Sequence, residues 1–92
     1  MTYEVRFEKA ADRDLDRLPT EVQARVVRHI EGLARDPRPP GVEALAGRLR
    51  GLLKLRVSDY RVAYRVDDEA RVVTVIEIGH RRDIYRRLAR RR

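Results

Sequence analysis

The run Leu53-Lys54-Leu55-Arg56-Val57-Ser58-Asp59-Tyr60-Arg61-Val62-Ala63-Tyr64 alternates apolar and polar side chains on both sides of Ser58-Asp59. Alternation of period two is the mark of a strand with one buried face. Two such runs joined by two turn-forming residues predict a β-hairpin. With Val57 opposite Tyr60, Leu55 falls opposite Val62 and Leu53 opposite Tyr64, so these six residues make one apolar face. The other face carries Arg56 across from Arg61 and Lys54 across from Ala63.

Like charges directly opposed across two strands destabilise the pair. A face gathering Lys54, Arg56 and Arg61 without an acid is therefore costly alone, and an anionic ligand would offset that cost. Arginine on a strand face is also a common solubility device. Lys54 sharpens the functional reading. Of 22 basic residues only Lys9 and Lys54 are lysines. Arginine stays protonated at any relevant pH, whereas a lysine crowded by positive charge can lose its proton. Arg56 and Arg61 are expected to depress the Lys54 pKa, which makes Lys54 a candidate proton-transfer group. The competing explanation is a genomic bias towards arginine, with Lys54 a chance survivor.

A chain of 92 residues is read as one domain spanning residues 1–92. It has no cysteine, which excludes disulfides and thiolate metal sites. No apolar run reaches the ~18–20 residues that span a bilayer, and the opening Met-Thr-Tyr-Glu-Val-Arg lacks the apolar core of a signal peptide. A cytoplasmic protein without a membrane partner is expected. The net charge of +7 points to a polyanionic partner. That charge is concentrated: His80 to Arg92 holds seven arginines and one aspartate.

Along the chain, Tyr3 to Phe7 alternates as a first strand. Ala11, Leu15 and Leu18 give the stripe of a short helix from about Lys9 to Leu18, ended by Pro19. Thr20 is expected to cap a second helix with Gln23 as its capping-box partner, and Asp36-Pro37 to stop it. Gly41 to Gly51 resists assignment, with Leu45 and Leu49 expected in the core. After the hairpin, Val72 to Ile78 is apolar on both parities, as a strand covered on both sides is. Asp83 to Ala89 reads as an optional terminal helix. The order β-α-α-β-β-β predicts an α+β fold: a small antiparallel sheet with a helical hairpin on one face. The other face, bearing Lys54 and Arg61, is left to solvent or a partner.

Four residues are candidates to act together: Lys54, Arg61, Arg81 and Tyr85. Lys54 and Arg61 are diagonal neighbours, about 7–8 Å apart by sheet geometry. Arg81 follows the last strand, and Tyr85 lies four residues on, on the same side of a helical turn. Arginines bind phosphate oxygens bidentately, and a tyrosine can stack on a base of single-stranded RNA. Arg81 is equally well a solvated tail residue and Tyr85 a packing anchor. Arg48, Arg56, His80 and Arg82 are the expected further RNA contacts. His29 reads as a surface histidine. Asp67, Asp68 and Glu69 read as turn residues, and no metal-ligand spacing, phosphate loop or nucleophile elbow occurs, so no cofactor is expected.

The chain resembles the RelE/ParE superfamily of toxins from toxin–antitoxin pairs. The resemblance is carried by Ala11 through Leu18-Pro19, by Asp36-Pro37, by Leu45-Ala46-Gly47 and by Leu55 to Tyr64. Gly79-His80-Arg81-Arg82-Asp83-Ile84-Tyr85 completes it. The Asp-Tyr-Arg-Val-x-Tyr block and the Gly-His-Arg-Arg-x-x-Tyr block are specific as a pair.

The resemblance implies a ribosome-dependent, metal-independent endoribonuclease that cuts mRNA in the ribosomal A site. In that chemistry the ribose 2′-hydroxyl attacks the adjacent phosphate, leaving a cyclic phosphate and a free 5′-hydroxyl. By matching position, Lys54 would help deprotonate the 2′-hydroxyl and Arg61 would stabilise charge on the phosphate. Arg81 would steady the phosphate and assist the leaving oxygen, and Tyr85 would hold the nucleotide. RelE itself carries a second lysine where this chain has Leu52; several relatives also lack it, and the resemblance then leaves a single lysine, Lys54, for proton transfer. It also implies a RelB-like antitoxin that masks the cationic face, with operator DNA reached only through that antitoxin. The alternative within the superfamily is a ParE-like toxin that inhibits DNA gyrase without cutting nucleic acid.

Overall fold

In a computed structural model, which describes residues 2–91, the hairpin forms in the register its alternation requires. Strands β3 (Leu53–Val57) and β4 (Tyr60–Asp67) pair antiparallel with Val57 opposite Tyr60, Leu55 opposite Val62, and Leu53 opposite Tyr64. Arg56 stands opposite Arg61 and Lys54 opposite Ala63. The turn at Ser58-Asp59 is tight enough to force Ser58 to φ +56°, a left-handed conformation uncommon outside glycine.

Around the hairpin the remaining elements are β1 (Glu4–Phe7), α1 (Lys9–Arg17), α2 (Thr20–Gly32), β2 (Glu43–Ala44), β5 (Val72–His80) and α3 (Ile84–Arg91). A single 3-10 turn covers Gly47–Leu49. The strands form one sheet in the order β1-β5-β4-β3-β2. The α+β class is as expected, but the sheet is mixed: β1 runs parallel to β5, with Glu4 opposite Val72 and Phe7 opposite Val75. Parallel neighbours need a crossover connection, and the helical hairpin is the first part of it. The segment from Gly41 to Gly51, unassigned from sequence, supplies β2, which pairs Glu43 with Lys54.

The main core lies between the sheet and the helical hairpin. Ala11 of α1 and Val26 and Ile30 of α2, with Leu33 just beyond, meet Leu55, Val57, Val62, Tyr64, Val73, Val75 and Ile78. The capping box does not form. Pro19 occupies the cap position of α2 without a side-chain bond, and Gln23 instead donates to the Leu15 carbonyl at 3.0 Å, tying the two helices together. A proline cap leaves Gln23 no N–H to reach back to.

The second face of the sheet is not left open. Helix α3 crosses it, and Ile84 and Leu88 bury against Ala63 with Leu45, Leu49 and Leu52 around them. The structure therefore places Leu45 and Leu49 in this smaller cluster. A bulge explains the apolar character of β5 on both parities. Ala63 pairs with Glu77 but Tyr64 with Val75, so Ile76 is an extra residue and side-chain parity switches there. Val73 and Val75 face the helical hairpin before the bulge, and Ile78 does so after it.

Tyr64 is the largest fully buried side chain, and its hydroxyl donates to the Pro37 carbonyl at 2.7 Å. Burial pushes its pKa up to about 12. A raised pKa favours the neutral form, so this contribution to stability is complete below the ordinary tyrosine value near 10 and is lost as pH rises through 12. Replacing Tyr64→Phe removes the bond and leaves a carbonyl unpaired, a cost of about 1–3 kcal/mol. At roughly 4–8 °C per kcal/mol for a domain this size, the expected drop in Tm is readily seen in a thermal melt at pH 7. Spectrophotometric titration should lose the tyrosine that ionises near pH 12.

Candidate RNA-binding site

The site is built on the sheet face under the start of α3. Lys54, the second residue of β3, sits beside Glu43 of the short edge strand β2, with Nζ 2.9 Å from the Glu43 carboxylate. Its ammonium also donates to the Tyr85 hydroxyl and lies 4.6 Å from the centre of the Tyr85 ring, close enough for cation–π attraction. These contacts leave the Lys54 side chain only 14% exposed. Tyr85 itself is 44% exposed, so one surface of the ring remains open to solvent. Next to this group is a depression of about 160 Å³ lined by Gly41, Glu43, Lys54, Arg56 and Arg61.

The hairpin tip organises the other arginines. Arg61 donates from one guanidinium nitrogen to the carbonyls of Ser58 and Tyr60, each at 3.0 Å. Arg81 donates its backbone N–H to the Asp59 carbonyl at 2.8 Å, and its Nε lies 3.7 Å from the Asp59 carboxylate. The tight turn thus anchors Arg61 and Arg81 together at one end of the site, while Lys54 and Tyr85 meet at the other. Arg61 and Arg56 line the depression beside Lys54.

Two expected RNA contacts stand elsewhere. His80 pairs with Tyr60 across the sheet and so points to the helical-hairpin side, opposite to Arg61. There its ring packs edge-on to Tyr60 with centroids 5.6 Å apart, in a recess shared with Arg17, Leu18 and Pro19. Its Nδ1 accepts the Arg82 backbone N–H at 3.2 Å. Strand parity, and not proximity along the chain to Arg81, decides which way His80 points. Arg48 lines a separate, mainly apolar depression of about 510 Å³ with Ala46, Leu49, Leu88 and Ala89. Arg82 is exposed in the turn before α3.

The electrostatics correct the expectation for Lys54. Its pKa is raised, first by the hydrogen bond to Tyr85 and then by that to Glu43, which together outweigh the desolvation that would lower it. Glu43 is held below the usual carboxylate range by its bond to Lys54, with a smaller contribution from Arg61. The arginines beside Lys54 are only part of its surroundings. Glu43 lay in the unassigned segment, so its pairing with Lys54 was invisible. Lys54 is therefore an ammonium at neutral pH, and Glu43 brings a carboxylate into a group thought to hold none. Among the described residues no group of three or more His, Asp or Glu side chains is placed to hold a metal ion. No helix among them is long and apolar enough to cross a membrane.

A mixed sheet thus presents Lys54 and Arg61, and the terminal helix that crosses its face lays Tyr85 on Lys54. The family described as the ParE toxin of type II toxin–antitoxin systems matches residues 5–85. The chain is 43% identical over 88 residues to Toxin RelG of Mycobacterium tuberculosis, covering 95% of this chain and 100% of that one. It is 34% identical over 86 residues to the mRNA interferase toxin RelE of Escherichia coli, covering 88% and 85% respectively. Its fold superposes on a chain of the toxin–antitoxin complex RelBE2 from Mycobacterium tuberculosis with a TM-score of 0.80, at 36% identity, covering 87% of this chain and 99% of the other. The chain belongs to the ParE toxin family of type II toxin–antitoxin systems and is RelE-like within it.

Because Lys54 has a raised pKa, its interactions stabilise the fold fully below the ordinary lysine value and lose that effect as pH rises through the higher folded one. An NMR titration of the Lys54 amine should place its midpoint above the ordinary lysine value. Tyr85→Phe and Glu43→Gln are each expected to lower that midpoint, since both partners favour the charged form.

Proposed function

We propose that this protein is a ribosome-dependent endoribonuclease that cuts mRNA in the ribosomal A site. The observation that carries the reading is the shared depression: Lys54, Arg56 and Arg61 line one hollow beside an aromatic ring that already lies on Lys54. Fixed cations around a recess match a phosphate, and an exposed ring matches an unstacked base. The likeness to a protein named mRNA interferase supports the same chemistry.

In the proposed reaction the ribose 2′-oxygen bonds to the adjacent phosphorus and the bond from phosphorus to the 5′-oxygen breaks. The products are a 2′,3′-cyclic phosphate and a free 5′-hydroxyl. Arg61 stabilises the charge that builds on the phosphate oxygens, and fixed cations aimed at developing charge supply much of enzymatic rate enhancement. Arg81, held at the same turn, steadies the phosphate and stabilises the charge on the departing 5′-oxygen, which takes its proton from solvent. Lys54, protonated at neutral pH, acts as a second fixed cation and not as the base. Glu43, 2.9 Å from it, is the carboxylate left to take the 2′ proton, a weak base because Lys54 holds its pKa below the usual range. Tyr85 holds the nucleotide against the site.

A cognate antitoxin of the RelB kind completes the proposal. An acidic amphipathic segment would neutralise the cationic face and cover neighbouring apolar surface. Displacing α3 would carry Tyr85 away from Lys54 at the same time. Operator DNA is reached only through that partner.

The test is cleavage of a defined mRNA on purified ribosomes, with products mapped at single-nucleotide resolution. Wild-type protein should give cuts in phase with the codon in the A site, and Arg61→Ala should slow them by about 10²–10³-fold, the usual cost of losing one oxyanion-stabilising donor. Glu43→Gln and Lys54→Ala should each slow them as well. Intact mRNA together with double-strand breaks in DNA would instead identify a gyrase-directed toxin, the other activity within this superfamily.

A further inference from the structure

Beyond residue 75, β5 loses its neighbour, because β1 pairs only with Val72 to Val75. The edge of β5 that faces away from β4 is then open at Ile78. Both of its backbone groups there are taken by side chains. The Ile78 N–H donates to the Asp14 carboxylate at 3.0 Å, and the Ile78 carbonyl accepts from the Arg87 guanidinium at 3.1 Å. Asp14 of α1 and Arg87 of α3 thus stand in for a missing strand.

The same guanidinium closes an ion cluster. Arg87 pairs with Asp14 and, at 2.8 Å, with Glu77. The two carboxylates are 8% and 7% exposed. Charges this well covered are held in place by their partners, and removing one partner is far more costly than the pair is worth. Glu77 reaches this side of the sheet because the bulge at Ile76 switches strand parity. The approach of Arg87 depends on Gly79: a Cβ there would stand 2.6 Å from an Arg87 guanidinium nitrogen.

Helix α3 needs such an anchor. It has eight residues, too few to be stable alone in water, and its sequence Ile-Tyr-Arg-Arg-Leu-Ala-Arg-Arg is strongly cationic beside a cationic sheet face. Ile84 and Leu88 provide its apolar contact, but apolar contact is non-directional. Arg87 supplies direction, with a planar fork held by two carboxylates and a carbonyl. Tyr85 lies two residues before it and has its ring and hydroxyl on Lys54.

We propose that Arg87 is a positioning residue: threaded past Gly79 into the buried carboxylates of Asp14 and Glu77, it sets the seating of α3 and thereby lays Tyr85 on Lys54. The role of this contact in RNA cleavage rests on the nuclease reading; the seating of the helix does not. The geometry joins three elements, α1, β5 and α3, through one side chain, so a disturbance on the helical-hairpin side of the sheet is transmitted to the RNA-facing side.

The experiment uses the full chain labelled with ¹³C-tyrosine, whose four tyrosine signals report separate regions. In Arg87→Ala the Tyr85 signal should move towards that of a solvent-exposed tyrosine while that of buried Tyr64 stays in place. On ribosomes the same variant should lose about ten-fold or more in kcat with little change in KM, on the transition-state logic that misplacing a positioned group costs rate. In a Tyr85→Ala background Arg87→Ala should add no further loss. An unmoved Tyr85 signal, or losses that multiply in the double variant, would overturn the proposal. If Arg87→Ala fails to fold, shown by loss of the Tyr64 signal, Gly79→Ala takes its place: it crowds the guanidinium while keeping its charge, and it must shift Tyr85 selectively or the proposal fails. Wild-type protein that cuts no mRNA would reject the nuclease reading, and the tyrosine signals would still decide the seating of α3.

Discussion

The pairing of β3 with β4 is the constraint on which the rest of this structure depends. Side chains alternate between faces, so slipping β3 by one residue against β4 would send Lys54 and Arg56 into the core and Leu55 and Val57 out of it. The burial of Leu55, Val57, Val62 and Tyr64 against the helical hairpin blocks that slip. The apolar face therefore specifies the register, and the register places the cations. A tight turn that forces Ser58 to a positive φ adds a second restraint and also presents the carbonyls that hold Arg61.

The cationic face is stabilised by neighbours that the alternation pattern does not contain. Glu43 arrives on a two-residue strand at the sheet edge, and Tyr85 arrives from the end of the chain. Both favour the charged form of Lys54. The result is a fixed ammonium beside two arginines, an arrangement better suited to stabilising negative charge than to removing a proton. Arg87 completes the face from beneath by bringing a helix rich in positive charge onto a surface of the same sign, with Asp14 and Glu77 as the balancing acids.

Much of the fold was legible in the residues because it rests on local periodicity. The hairpin register and both helices of the helical hairpin follow from alternation, the stripe of Ala11, Leu15 and Leu18, and the prolines at 19 and 37, while the terminal helix, read only as optional over Asp83 to Ala89, forms over Ile84–Arg91. What was not legible depends on long-range pairing. Nothing in Tyr3 to Phe7 says whether that strand runs parallel or antiparallel to β5. Glu43 lies in a segment with no period at all. The bulge at Ile76 reverses parity midway through an apolar run, and this is what sends Glu77 towards Arg87 and His80 away from Arg61. Lys54, Arg61, Arg81 and Tyr85 stand out in the sequence because their residue types and spacing suit phosphate chemistry, and the fold brings Lys54 to Tyr85 and holds Arg61 and Arg81 at one turn. Asp14 and Arg87 passed unnoticed because on a helix of this composition an aspartate and an arginine look like solvated surface.

The central claim is that the paired strands hold Lys54 and Arg61 at a spacing that grips one RNA phosphate. A structure of the protein on a ribosome carrying mRNA with a 2′-O-methyl group at the cleavage position tests it most directly, since the blocked 2′-oxygen traps the substrate before reaction. The account places the phosphate next to that nucleotide against Arg61 and Lys54, with its base on the open surface of Tyr85. A phosphate lodged instead on the opposite side of the sheet, in the recess of His80 and Arg17, would contradict it.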